Sequence, residues 1–130
     1  MQELFSIVWT SQTKTLAIIC VCILFLEICS GVLKAIKNKD LDSTRFREGL
    51  LSKTGYLVQI ILVILVSMML NMPYLLYADM LWISCSEGVS VLENLSEIGV
   101  PFPAFIKDVL EKTKSNTEED MTKEWMKRSG

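Results

Sequence analysis

Two long runs that are almost free of charge constrain this chain more than any other feature. Residues 15–33 contain one charged side chain, Glu27, and residues 56–84 contain one, Asp79. A water-soluble fold of 130 residues spreads its apolar side chains at helical or strand periods. Uninterrupted runs of about 18 or more match the hydrocarbon thickness of a bilayer instead. The hydrophobic share, 51% of the residues, is gathered into these runs. The expected class is therefore an all-α integral membrane protein.

The first run is long enough for one span, at about residues 16–36. The second is too long for one straight crossing: residues 56–85 as a single helix would extend about 45 Å, against roughly 30 Å of hydrocarbon. Asn71-Met72-Pro73 lies near its middle. Proline turns the residue before it away from helix, and asparagine is a common turn former. This divides the run into spans at about residues 56–72 and 74–92, three in all; the alternative is two spans, the second one kinked.

Lys34, Lys37, Lys39, Arg45, Arg47 and Lys53 lie between the runs, opposed by Asp40, Asp42 and Glu48. Such a loop reads as cytoplasmic by the positive-inside rule. Three spans then put the N-terminus outside and the C-terminus in the cytoplasm. Leu41, Phe46, Leu50 and Leu51 make the loop an amphipathic helix suited to anionic headgroups. The basic excess is too small for a nucleic-acid surface.

Chemistry that depends on metals or thiols has little to work with. There is no histidine, and Cys20, Cys22, Cys29 and Cys85 stand in apolar surroundings without a CxxC spacing. They read as core fillers. No cofactor loop or nucleophile motif occurs, so no catalytic, cofactor-binding or metal residues are expected and the chain is not read as an enzyme. The Leu-Glu-Ile before Cys29 does not suit leader processing, which needs small residues. Residues 1–14 form a mixed stretch that can lie at an interface.

The third span carries a stripe. Asp79, Ser86, Glu87, Ser90, Glu93, Asn94 and Glu97 recur at three- and four-residue steps, with Leu81, Cys85, Gly88, Leu92 and Leu95 opposite. Glu87, Ser90, Glu93, Asn94 and Glu97 are candidates for a pore-lining face, or for hydrogen bonds between helices. Gly99, Pro101 and Pro103 should end this helix near Ile98. In the first span, Glu27, Gly31 and Ala35 repeat every four residues and form a packing strip for another helix. Glu27 either faces protein there or lies near enough to the interface to be hydrated. Residues 1–114 read as a single membrane domain that closes with a short amphipathic helix at 104–114, and residues 115–130 as a charged tail.

Glu87-x-x-Ser90-x-x-Glu93-Asn94 followed by Gly99-x-Pro101-x-Pro103 resembles the signature of the bacteriophage holin family, which also includes toxin-secretion holins. An acid in the first span followed by Gly31, Ala35, Ser43, Gly49 and Lys53 is similar to that family's spacing, although Glu27 stands where the family usually has Asp. The resemblance implies a multi-pass protein of the bacterial cytoplasmic membrane with the lipid bilayer as its surroundings. It implies homo-oligomers that open lesions for an endolysin or a toxin. An antiholin is a further partner it implies, and an antiholin-like accessory subunit is the alternative role.

Overall fold

Capping chemistry fixes where the helices begin. In the computed structural model, which describes residues 1–130, a short helix Gln2–Val8 (α1) is followed by Ser11–Lys37 (α2). Thr10 caps α2 by accepting the Thr13 N–H at 3.2 Å. Asp42 does the same for Ser43–Met69 (α3), accepting the Thr44 N–H at 2.8 Å. Lys34 and Lys37 fill the last turn of α2, where cations meet the negative end of the helix dipole.

Residues 70–73 make the turn predicted at Pro73, with Asn71 in the left-handed region at φ 48°. The helix Tyr74–Ile98 (α4) follows. Gly99 closes it at φ 95°, its N–H reaching the Leu95 and Ser96 carbonyls. The helix stops where Gly99, Pro101 and Pro103 predict. A fifth helix, Ala104–Ser129 (α5), completes the chain.

α2, α3 and α4 are each long and apolar enough to cross a membrane. Only 16 of 130 residues are buried, too few for a water-soluble core. Ile18, Val21, Phe25, Leu62 and Leu65 stand on the outside instead, where lipid would cover them. The buried residues gather along α4, on which α2, α3 and α5 all pack. Val8, Leu16, Leu76 and Met80 form one cluster, and Cys20, Leu24 and Ile83 form the next. α1 thus contributes Val8 to the core in addition to its stacked Phe5–Trp9 pair, whose ring centres are 6.2 Å apart.

Two expectations are corrected. The loop helix and the second span are not separate elements: α3 runs unbroken through both. Residues 50–56, Leu-Leu-Ser-Lys-Thr-Gly-Tyr, hold no proline, and extending a formed helix costs far less than starting another. The charged tail is not separate either, since α5 continues to Ser129. Its charges read as a loose tail, yet Glu119 and Lys123 pair one turn apart at 2.6 Å. Thr113, Thr117 and Thr122 hydroxyls donate to carbonyls four residues back.

α5 folds back antiparallel along α4. Lys107 lies 3.5 Å from Glu93, Leu110 lies on Gly88, and Lys114 sits 4.4 Å from the Trp82 ring centre. At the far end, Arg128 donates to the Leu70 carbonyl at 3.0 Å. Lys112, Glu119, Asp120, Lys123 and Lys127 are exposed on the side away from α4. Each Lys, Arg or Asp exposed to lipid at the centre of a span costs about 2.5–3.5 kcal/mol. This face of the bundle is made for water.

Candidate functional site

Each of the three apolar helices brings one ionisable side chain to a common point. Lys53 of α3 extends its ammonium between Glu27 of α2 and Glu87 of α4. The Glu27 carboxylate is 2.9 Å away, and the Glu87 carboxylate accepts a hydrogen bond from the same nitrogen. The Lys53 and Glu87 side chains are only 14% and 7% exposed. One cation therefore serves two carboxylates away from water, and the Tyr56 ring lies 5.8 Å from it.

Polar bonds continue above and below this triad. Gln59 of α3 donates to Asp79 of α4 at 2.7 Å. Asn94 of α4 donates to the Ser30 hydroxyl of α2 at 3.0 Å. Lys34 pairs with Glu97 at 3.0 Å. Lys37 donates to the Glu97 and Ile98 carbonyls, both at 2.9 Å, and so satisfies the end of α4. The result is a polar seam along α4 inside an apolar bundle.

The stripe read from the sequence is divided among these neighbours. Glu87, Asn94 and Glu97 turn toward α2 and α3, whereas Glu93 turns toward Lys107 of α5. Ser90 donates to the Ser86 carbonyl of its own helix at 3.3 Å. In the single chain these groups do not form one open face, because they turn to different partners, although the Glu93 and Glu97 side chains stay 58% and 52% exposed. Lys34, Lys37 and Lys53, read as topogenic, also hold the seam together; Arg45 pairs with Asp40, and Lys39 takes a left-handed φ of 54°.

Within the strip of Glu27, Gly31 and Ala35, Glu27 pairs with Lys53 of α3 and Gly31 faces Asn94 of α4. A Cβ on Gly31 would lie 3.8 Å from the Asn94 amide nitrogen. A cavity of about 720 Å³ opens beside it between α2 and the start of α3, lined in part by Gly31, Ala35, Phe46 and Leu50. Gly31→Leu is expected to push α4 away and break the Asn94–Ser30 bond, costing about 1–3 kcal/mol. Unfolding in detergent followed by circular dichroism checks this. An unchanged midpoint would mean that the leucine turns into the cavity.

Gln59–Asp79 and the Trp82 contacts with α5 are additions to the sequence reading. A signal for the first exists, since Gln59 and Asp79 are lone polar groups in apolar runs and each needs a partner. None exists for the second, because Trp82 looks like any lipid-facing aromatic.

A family description, bacteriophage holin family, matches residues 4–115, from α1 to the middle of α5. The chain is 34% identical over 100 residues to a probable holin of Bacillus phage phi105, covering 76% of this chain and 74% of that one. It is 32% identical over 95 residues to an uncharacterized protein of Bacillus subtilis, covering 72% and 68%. An uncharacterized protein of Clostridium perfringens is 29% identical over 89 residues, 67% of this chain and 66% of its own length. No solved structure matches. With the match spanning all three apolar helices and the seam that joins them, the chain belongs to the bacteriophage holin family.

Proposed function

We propose that the chain assembles into homo-oligomers that open lesions in the bacterial cytoplasmic membrane, through which an endolysin or a toxin passes. The observation that carries this reading is the polar seam of α4, sealed by ion pairs inside a bundle whose α2 and α3 surfaces are apolar. Single chains of this kind are tolerated by lipid. When many gather, the same carboxylates and amides can face a shared body of water instead of their intrachain partners, which removes the cost of keeping them dry. Glu87, Ser90, Glu93, Asn94 and Glu97 are the groups that this exchange would expose.

The intrachain pairing of Lys53, Glu27, Glu87 and Asn94 also favours a second reading. A chain that already pairs most of its seam, with Ser67, Asp79 and Ser86 each keeping one unpartnered buried oxygen, can persist as an accessory, antiholin-like subunit. Induction of the chain by itself in bacteria separates the two. A pore-former collapses the membrane potential and leaks small solutes, whereas an accessory subunit accumulates and leaves both unchanged.

The proposed orientation is N-terminus outside and C-terminus inside. With Cys20, Cys22, Cys29 and Cys85 replaced, cysteines introduced as Lys39→Cys or Trp125→Cys are both expected to resist an impermeant thiol reagent added to intact spheroplasts before any leakage. Labelling at position 125 alone would mean two spans, or an α5 that already lies along α4 with its end at Leu70.

A further inference from the structure

We propose that α5 is the water-facing wall of the opened form. It lies along α4 only where that side of the bundle borders water, and swings to the cytoplasmic side while the single chain is surrounded by lipid. This rests on the pore reading and adds to it the element that meets the water.

α5 reaches the full length of the span beside it, because Arg128 touches Leu70 at the end of the bundle opposite residues 99–103. Its contact with α4 is specific at several levels. Lys107, Leu110, Lys114, Thr117 and Met121 recur at three- and four-residue steps and form the inward, partly or fully buried side. Gly88 has no side chain where Leu110 rests; a Cβ there would come within 3.1 Å of Leu110 Cδ1. Trp82 is held from both sides of its polar edge, by Lys114 over the ring and by Glu118, which accepts its indole N–H at 2.6 Å.

The outward side of the same helix carries exposed Lys112, Glu119, Asp120, Lys123 and Lys127, with exposed Phe105 and Val109 toward its start. The charges lie beside the middle and far half of α4, at the depth of the hydrocarbon. Lipid rejects such a surface, and water in a lesion accepts it. The two surroundings thus select two positions of α5.

The pivot is built in. Lys37 fixes the last carbonyls of α4, so the end of that helix stays with α2. Gly99 follows in the left-handed region, and Pro101 and Pro103 keep the next residues from joining either helix.

Over the whole of α5 six exposed acids stand against four exposed bases, so a lesion walled by α5 should prefer cations. The test uses the full chain in two forms. In planar bilayers of phosphatidylethanolamine and phosphatidylglycerol, Glu119→Lys, Asp120→Lys and Glu124→Lys together are expected to turn cation preference into anion preference. In cells, Gly88→Cys with Leu110→Cys, in a chain lacking the native thiols, is expected to crosslink several-fold more under a permeant oxidant after the potential falls than before. Conductance with unchanged ion preference would overturn the assignment of α5 while leaving the pore reading in place. Full crosslinking in sealed cells would overturn the swing. A parent chain that never conducts would remove the pore reading and this proposal together.

Discussion

Lys53→Met is expected to destabilise the bundle by about 3–5 kcal/mol, since removing one partner of a buried ionic group leaves the others unpaired. Here two carboxylates, Glu27 and Glu87, would be left facing each other without a cation between α2 and α4. Lys53→Met combined with Glu27→Gln and Glu87→Gln should recover most of the loss, because neutral amides can bond to one another. Equilibrium unfolding of the purified chain in detergent measures both. An unchanged midpoint for the single variant would mean that water or another base already serves the two acids.

Glu87→Leu carries the second large effect, on function and not on folding. The substitution leaves Lys53 with one partner, Glu27, at 2.9 Å, so the single chain keeps a balanced pair and should insert and accumulate normally. It removes the most deeply buried acid of the seam, the group that gains most from reaching water in an assembly. Permeabilisation at equal membrane levels is expected to be strongly delayed or lost. Glu87→Gln, which keeps a polar group there, should retain insertion and assembly and alter only ion preference or timing. If the leucine variant permeabilises as fast as the parent, Glu87 is a helix contact and nothing more.

The parts of this architecture that rest on short-range chemistry are legible in the sequence. The runs around Glu27 and Asp79 announce the spans, Pro73 breaks the second run, and Gly99 with two prolines ends α4. A buried acid at position 87 demands a base, and Lys53 is within reach of that reading. What depends on the directions of packed helices is not legible. The stripe on α4 defines a side, but only the angles of its neighbours decide that Asn94 meets Ser30 while Glu93 meets Lys107.

The continuity of α3 and of α5 is hidden for a different reason. Polar composition marks residues 38–53 and 115–130 as surface, and composition alone does not say whether a helix stops. α3 continues because nothing between Lys53 and Tyr56 interrupts it, and α5 because α4 gives Leu110, Lys114 and Thr117 a surface to rest on. Gly31 shows the same limit on the scale of one residue. Its spacing from Glu27 and Ala35 identifies a candidate packing strip, and Gly31 itself meets Asn94 of α4 in the same chain.

In the proposed function this chain alone converts a sealed bundle into a membrane lesion. The most direct measurement is release of dyes of graded size from vesicles of phosphatidylethanolamine and phosphatidylglycerol after adding the purified full-length chain. Release is expected to rise more steeply than linearly with the protein-to-lipid ratio, as assembly requires, and to be suppressed by Glu87→Leu. Vesicles that stay sealed at every ratio, with the chain inserted, would contradict it.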